Sequence, residues 1–245
     1  MSDAELERIR AAYQERDAAG AGRSAWLERP YRQRMQELEG ALLEGLAAAG
    51  TDPAGARVLE VGCGSGYFLS RFLDYGAAHA AGIDLMEHRI AQARERDPRL
   101  ELVAGDAARL PWEDGSFDVV TQFTCVSSVL DAELRRAIAA EMWRVLRAGG
   151  TLVSYDMTET PVAVRGFRRA AALRRRGAPP AGTSTTAIDA AELHRLFPGA
   201  DFVLRRITPS TDVAGSADRN RLLAALAAVL PLVRTHLLGI ARKPA

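Results

Sequence analysis

Cysteine is scarce in this chain, and its net charge is small. Only Cys63 and Cys125 occur among 245 residues, which excludes a disulfide-rich scaffold. The formal net charge is +1 at pH 7, whereas a protein that binds nucleic acid by general electrostatics carries a larger positive excess. Hydrophobic residues make up 48% of the sequence, which is too much for a chain whose main state is disordered. We therefore expect a folded globular protein that does not bind nucleic acid.

The amino terminus has no apolar run, because charges alternate through MSDAELERIR where a signal peptide would need hydrophobic residues. A mostly apolar stretch, Leu222 to Ala241, has roughly the length of a membrane span. Pro231, Arg234 and His236 lie inside it, however, and a guanidinium near the centre of a bilayer is costly. These features predict a cytoplasmic protein without a membrane segment.

Lysine is almost absent, since Lys243 is the only one and every other cationic side chain except histidine is arginine. Arginine clusters in such a chain are weaker evidence for phosphate recognition than they would be in a mixed background. The group between Arg165 and Arg176 could bind an acidic acceptor. A solvated helix face is the interpretation we favour, because runs of charge are usually solvated.

Two stretches with helical periodicity, near Ala4–Ala18 and Tyr31–Ala49, predict a helical N-terminal cap over residues 1–50 that closes over a ligand as a lid. From residue 51 onward, short apolar runs alternate with helical segments. Strands are predicted at RVLEVG from Arg57, His79–Leu85, Leu100–Asp106, FDVVTQF from Phe117, TLVSYDM from Thr151, Asp201–Ile207 and Val233–Arg242. Helices are predicted at Asp131–Arg147, stopped by Ala148-Gly149-Gly150, and at Asp189–Leu196.

This alternation predicts an α/β fold in which a seven-stranded, mostly parallel, doubly wound sheet is covered by helices on both faces. Residues 51–245 would form one domain with insertions at about 158–200 and 208–232, where prolines and glycines interrupt the pattern. In this architecture the insertions would cover the substrate.

The first predicted strand runs into a glycine cluster, LEVGCGSG, which contains Glu60, Gly62, Gly64 and Gly66. Glycines at that point let the backbone approach a ligand closely. The spacing G-x-G-x-G differs from the G-x-G-x-x-G that seats a dinucleotide pyrophosphate. Asp84 closes the second strand, where a carboxylate can accept both hydroxyls of a ribose. Glu60 as a salt-bridge partner and Asp84 as a helix cap are the alternatives.

The motif resembles the first motif of the class I S-adenosylmethionine-dependent methyltransferases, a Rossmann-like family. GDAARLPWEDGSFDVV and LRAGG before TLVSYD match two further family segments, with Ala148 in place of the usual proline. The resemblance covers about Gly55 to Met157 and implies S-adenosyl-L-methionine as the cofactor, with S-adenosyl-L-homocysteine as the product. It also implies that Asp106 meets the adenine edge. The implied cofactor-binding residues are Glu60, Gly62, Cys63, Gly64, Gly66, Asp84, Leu85, Met86, Asp106, Ala107, Gln122 and Phe123.

A catalytic base is optional for methyl transfer, because the cofactor supplies the electrophile. Asp156 at the end of the fifth strand is our candidate proton acceptor, although it could equally cap the following segment. Related quinone-pathway methyltransferases carry two histidines after the fourth strand, where this chain has Ser127 and Ser128. No metal site is predicted.

The resemblance implies methyl transfer to a small-molecule acceptor, with a hydroxyl oxygen as our first choice. N- or C-methylation remains an alternative, although TQFT stands where an N-P-P-Y/F-type tetrapeptide would suggest methylation of a planar nitrogen. A cyclase or a partner-binding module on the same fold is a further alternative, since fold does not dictate chemistry. The sequence leaves the acceptor and the oligomeric state open.

Overall fold

The computed structural model describes residues 3–18, 29–159, 184–209 and 234–245. The helices in these ranges are α1 (Asp3–Ala18), α2 (Arg29–Ala48), α3 (Tyr67–Asp74), α4 (Glu87–Arg96), α5 (Ala132–Val145) and α6 (Ala190–Leu196). The strands are β1 (Arg57–Val61), β2 (His79–Asp84), β3 (Glu101–Ala104), β4 (Phe117–Phe123), β5 (Leu146–Met157), β6 (Asp201–Pro209) and β7 (Arg234–Arg242). A 3₁₀ turn, Val126–Ser128, follows β4.

The seven strands form one sheet in the order β3-β2-β1-β4-β5-β7-β6. The neighbouring pairs from β3 to β5 are all parallel, and β7 runs antiparallel to both β5 and β6. After β1 the sheet grows toward one edge through β2 and β3, and the chain then returns to place β4 on the other side of β1. Ligands bind in open α/β sheets at such a switch point, outside the carboxyl ends of the strands. The predicted fold class is therefore confirmed.

Each face of the sheet has its own apolar core. On one face α1, α5 and α6 contribute buried side chains such as Ile9, Ile138 and Leu193. On the other face α2, α3 and α4 contribute side chains such as Leu42 and Phe72. The apolar residues of α5 recur at helical spacing, as the sequence predicts, and burial of this stripe against the strands holds the helix in place.

The helix after β4 ends earlier than expected. Asp131 caps α5, accepting hydrogen bonds from the backbone N–H groups of Glu133 (2.8 Å) and Leu134 (3.1 Å), as the sequence predicts. The helix ends at Val145, and β5 already begins at Leu146, which pairs with Phe117. Ala148-Gly149-Gly150 therefore belongs to the irregular start of a strand and does not stop the helix.

Parts of the predicted insertions lie outside the described residues, among them the whole arginine group 165–176. The apolar stretch 222–241 is described only from residue 234, where it forms most of β7. Within the ranges that the structure describes, no helix is both long enough and apolar enough to cross a bilayer.

Candidate functional site

The glycine loop lies at the carboxyl end of β1, at the switch point of the sheet. The backbone N–H groups of Gly62 and Cys63 donate to Ile83 O at 2.8 and 3.0 Å, which ties the loop to the end of β2. Gly62, Gly64 and Gly66 have φ values of 71°, 51° and 69°. Residues with a Cβ rarely adopt this left-handed conformation, so the three glycines are needed for the path of the backbone.

Asp84, at the end of β2, holds this loop directly. Its Oδ2 accepts the Gly64 N–H at 2.8 Å, and its Oδ1 accepts the Met86 N–H at 2.9 Å. The Met86 contact shows that Asp84 does bond the turn before α4, as the capping alternative requires. Each carboxylate oxygen has a second lone pair, however, and the side chain is only half-buried. Asp84 can therefore accept hydrogen bonds from a ligand while it keeps both backbone contacts.

Glu60 lies beneath the loop and is the most unusual acid of the site. It is 4% exposed, and burial together with the nearby charge of Asp84 raises its pKa well above the usual range. Its Oε2 has no hydrogen-bond partner among the described residues. A buried carboxylate oxygen without a partner is costly, so this atom fits a cationic or hydrogen-bond-donating group of a ligand. The salt-bridge alternative has no support within the described residues.

These residues border a cavity of about 260 Å³, which we call the first cleft. It brings together ten of the twelve predicted cofactor residues: Glu60, Gly62, Cys63, Gly64, Asp84, Leu85, Met86, Asp106, Ala107 and Phe123. One carboxylate oxygen of Asp106 accepts the Ala108 N–H at 2.9 Å, and the residue lines the same cleft as the glycine loop. Residues from the ends of β1, β2, β3 and β4 thus meet in one place. Their roles toward a cofactor remain predictions.

Gly66 and Gln122, the other two predicted residues, do not line the first cleft. Gly66 precedes α3 as its N-cap, and a Cβ there would meet Leu100 Cδ1 at 2.8 Å, so it serves the packing of the helix entry. Gln122 is fully buried. Its Oε1 accepts the N–H groups of Cys125 (3.0 Å) and Val126 (3.3 Å), so it shapes the turn after β4.

Asp156 lies at the carboxyl end of β5, as predicted, but it is 1% exposed and lines neither cleft described in this section. Its Oδ1 accepts the Ser127 N–H at 3.0 Å, and its Oδ2 accepts a hydrogen bond from Gln122 Nε2. Burial raises its pKa to about 6. Within the described residues Asp156 thus contacts the turn that follows β4. Its role as proton acceptor stays a prediction.

A second cleft of about 360 Å³ adjoins the first. The two share Tyr13, Arg16, Glu60, Cys63, Phe123, Thr124 and Ser128. The second cleft is also bordered by residues of α2 (Tyr31, Arg34, Met35 and Leu38), of the loop and α3 (Ser65, Tyr67 and Phe68), and by Ser127, Tyr155, Met157, Thr185 and His236. A molecule in it would lie beside a molecule in the first cleft.

Tyr13, Tyr31 and Arg34 of this second cleft belong to the helical cap that the sequence predicts as a lid, whereas sequence reasoning missed Thr124 and His236. Thr124 has φ 59°, which is an outlier for a β-branched residue, and it turns the chain where the two clefts meet. Arg34 comes from α2, and His236 comes from β7, the reversed strand. Burial and the charge of Arg34 lower the pKa of His236 to about 4, so its imidazole is neutral at pH 7. Nothing local in the sequence marks Thr124 or His236 as cleft residues, because they are far apart along the chain.

Helix α1 borders the first cleft with Leu6, Ile9 and Tyr13 and is fastened at both ends. Near its start, Glu5 accepts backbone N–H groups from the segment before α5, including that of Asp131 at 3.3 Å. Near its end, Asp17 pairs with Arg89 of α4. The cap therefore contacts the site, and its opening and closing as a lid remain predictions.

The two cysteines are small thiols beside the loop, of which Cys63 is buried and Cys125 is half-buried. Cys63 and Cys125 are both free. Burial raises the pKa of both thiols, that of Cys63 well above its usual range. They are therefore present as unreactive thiols at neutral pH.

Comparison with known proteins gives the site its context. Residues 58–150 match the family model described as "Methyltransferase domain". A demethylmenaquinone methyltransferase of Beutenbergia cavernae is 39% identical over 116 residues, which cover 47% of this chain and 46% of that protein. A phthiotriol/phenolphthiotriol dimycocerosates methyltransferase of Mycobacterium ulcerans is 41% identical over 109 residues, covering 42% of this chain and 38% of that one. The matched region thus spans less than half the length of these curated relatives.

A solved structure, the S-adenosylmethionine-dependent methyltransferase of Mesorhizobium loti, superposes with a TM-score of 0.56 at 19% identity. The superposition covers 83% of this chain and 98% of the Mesorhizobium loti chain, so the similarity of fold extends beyond the region matched in sequence. The matched sequence includes Glu60, the glycine loop, Asp84 and Asp106, the same residues that meet in the first cleft. Residues 58–150 of this chain are therefore a methyltransferase domain of the class I S-adenosylmethionine-dependent family.

Proposed function

We propose that this protein transfers the methyl group of S-adenosylmethionine to a small-molecule acceptor, and that the reacting atom of the acceptor is a hydroxyl oxygen. The observation that carries the proposal is the unpartnered, buried Oε2 of Glu60 in the first cleft, beside a second cleft that is open to another molecule. One cleft would hold the methyl donor and the other the acceptor.

The residues present fit this cofactor. Its amino group would donate to Glu60, since the Oε2 atom of that carboxylate lacks a partner within the described residues. Its ribose hydroxyls would donate to Asp84, whose oxygens keep a free lone pair each. Its adenine would lie at Asp106 and Ala107, at the end of the cleft formed after β3. Gly64 borders the same cleft and has no side chain that would occupy it.

When bound, the cofactor supplies an electrophilic methyl group on a sulfonium. The protein then has to place the acceptor in line with that group and to exclude water. Phe123 and Thr124 border both clefts, so they stand where the two molecules would meet. Tyr13 of α1 also borders both clefts, and its hydroxyl forms a hydrogen bond with Ser128 Oγ at 2.9 Å. An oxygen acceptor is supported by the tetrapeptide TQFT, which departs from the pattern associated with planar nitrogen.

The test of this proposal is a pair of measurements on the full chain. Calorimetry with S-adenosylmethionine, S-adenosylhomocysteine and NADH is expected to show binding of the first two and none of the third. Incubation with a panel of small hydroxylated acceptors is expected to form S-adenosylhomocysteine and an O-methylated product. Cofactor binding without S-adenosylhomocysteine in any incubation would contradict methyl transfer and favour a cyclase or a binding module. A product methylated on nitrogen or carbon would contradict the hydroxyl assignment.

The role of Asp156 can be tested by moving its carboxylate to the neighbouring residue, Gln122. Asp156→Asn sets its amide against the amide of Gln122, whose orientation is fixed by the Cys125 and Val126 N–H groups. We expect turnover to fall about 10² fold, because the turn bordering the second cleft loses its position. In the double variant Asp156→Asn/Gln122→Glu, the donors and acceptors match again.

If Asp156 positions the turn, the double variant should recover turnover to within about tenfold of the wild type. If Asp156 itself removes the proton, the double variant should stay as slow as the single one. Initial rates of S-adenosylhomocysteine formation, measured together with melting temperature and cofactor affinity, distinguish the two roles. The exposed Glu95→Gln exchange on α4 serves as the control for the loss of one carboxylate.

A further inference from the structure

The second cleft has an aromatic wall that continues from one element to the next. The rings of Phe68 and Phe123 are stacked, with centroids 4.1 Å apart and planes inclined by 24°. Phe123 is followed by Tyr155 at 6.4 Å, and Tyr155 is stacked on His236 at 4.9 Å with an interplanar angle of 8°. This row, Phe68–Phe123–Tyr155–His236, joins α3, β4, β5 and β7 along one side of the cleft. Although the rings stack in pairs, their edges and outer surfaces on the cleft side can pack against a flat ring system in edge-to-face or offset contacts.

The charges of the second cleft are unbalanced. Most arginines whose side chains the structure describes donate to carboxylates or carbonyls, as Arg71 and Arg144 do. Arg34 is half-buried and has no hydrogen bond or ion pair with a described residue; its guanidinium carbon lies 5.0 Å from the centroid of the Tyr31 ring. Arg16 likewise borders the cleft without an ion pair in the described part of the chain. Among the described residues that line the cleft, the only acid is Glu60, whose pKa is raised.

Arg34 lies at the His236 end of the aromatic row. Burial and, after it, the charge of Arg34 lower the pKa of His236, as expected for a guanidinium near that end of the row. The imidazole of His236 is neutral at pH 7 and has its Nδ1 3.1 Å from Thr235 Oγ1, so it adds no charge that would balance or repel an anion. A guanidinium of this kind is suited to a planar anionic group such as a carboxylate, which it can bind through two hydrogen bonds.

We infer that the second cleft binds a flat aromatic molecule that carries an anionic group, with its ring on the Phe68–Phe123–Tyr155–His236 row and its anion on Arg34. The inference rests on the proposed function in one respect, namely that this molecule is the methyl acceptor. The cleft volume of about 360 Å³ lies in the range of sites for small ligands and suits one or two fused rings.

The experiment measures the binding of two matched probes to the full chain saturated with S-adenosylhomocysteine. The anionic probe is 3-hydroxy-2-naphthoate and the neutral probe is 2-naphthol, which share the ring system and the hydroxyl. We expect the anionic probe to bind the wild type about tenfold more tightly, because it gains a charge-assisted pair. Arg34→Gln should remove that preference while leaving the affinity for 2-naphthol unchanged. Arg34→Lys should retain part of it, because the charge remains while the planar fork is lost.

Two further variants complete the design. Phe123→Leu should weaken both probes, because it removes the central ring of the row. Arg109→Gln, which changes an exposed arginine away from the clefts, should alter neither. Equal affinities of the wild type for the two probes, or an unchanged preference in a folded Arg34→Gln protein, would overturn the inference.

The probe experiment can succeed or fail independently of the test of methyl transfer. Probe affinities do not depend on methyl transfer, and binding of S-adenosylhomocysteine is measured in the same samples. Suppose that the tighter binding of the anionic probe depends on Arg34 but no acceptor yields S-adenosylhomocysteine. The inferred ligand class is then supported, and the proposed methyltransferase activity is contradicted. If uncharged acceptors are methylated and Arg34→Gln does not slow their methylation, the proposed methyltransferase activity is supported and the inferred ligand class is contradicted.

Discussion

Replacing Asp84 by alanine is expected to lower the affinity for S-adenosylmethionine about 100-fold. The carboxylate lines the first cleft, where it would accept both ribose hydroxyls, and a charge-assisted acceptor of this kind contributes about 2 to 3 kcal/mol. Its loss also frees the Gly64 N–H, which Asp84 Oδ2 accepts at 2.8 Å. Titration calorimetry measures the change. Asp84→Asn retains a neutral acceptor oxygen and should fall between the wild type and the alanine variant.

The control for Asp84→Ala is again Glu95→Gln, which removes an exposed carboxylate from the neighbouring helix and should leave affinity unchanged. Melting temperatures separate a loss of contacts to the ligand from a loosened loop. Wild-type affinity in a folded Asp84→Ala protein would remove the ribose assignment. Tight binding of NADH by the wild type would instead restore the dinucleotide alternative.

Gly64→Val is expected to abolish cofactor binding while the protein still folds. A Cβ at Gly64 would come no nearer to any described atom than 4.0 Å, the distance to Asp84 Oδ2, so a side chain would enter the open first cleft. The φ of 51° adds a strain of about 1 to 2 kcal/mol, which lowers the melting temperature without unfolding the domain. Calorimetry and thermal denaturation of the same sample give both effects. A Gly64→Val protein with normal cofactor affinity would show that the loop is an ordinary turn between strand and helix.

Gly62→Ala provides the contrasting case. A Cβ there would lie 2.6 Å from Cys125 Sγ and 2.7 Å from Cys125 Cβ, at the contact between the loops that follow β1 and β4. This variant should lose more stability than Gly64→Val, and a second exchange, Cys125→Gly, should recover part of the loss. The two glycines share one motif, yet one would be needed for the ligand and the other for packing.

Much of the cofactor side could be predicted from the sequence because its residues lie at strand ends. Glu60, Asp84 and Asp106 each follow a short apolar run, and the carboxyl ends of parallel strands meet at one edge of a sheet. Their convergence in the first cleft follows from that rule. A glycine cluster at the end of a strand permits positive φ, which Gly62, Gly64 and Gly66 adopt.

The second cleft could not be predicted in the same way. Arg34, Phe68, Tyr155 and His236 come from four elements, and only the packing of α2 against the sheet and the insertion of β7 beside β5 bring them together. Periodicity does not reveal the order of strands in a sheet, so the position of the reversed strand β7 between β5 and β6 was not predictable. The sequence also could not predict whether Asp156 is accessible, because a residue at a strand end can face a cleft or the interior.

By itself, the sequence determined the α/β class, the glycine loop and the acidic residues of the cofactor side, since these depend on local periodicity, spacing and backbone conformation. Tertiary structure alone decided that Gln122 and Asp156 form a buried pair behind the turn after β4, and that Arg34 stands beside an aromatic row. The physical reason is that burial and electrostatic environment depend on which distant segments pack together. Local sequence constrains each segment, and the free energy of packing between segments selects their arrangement.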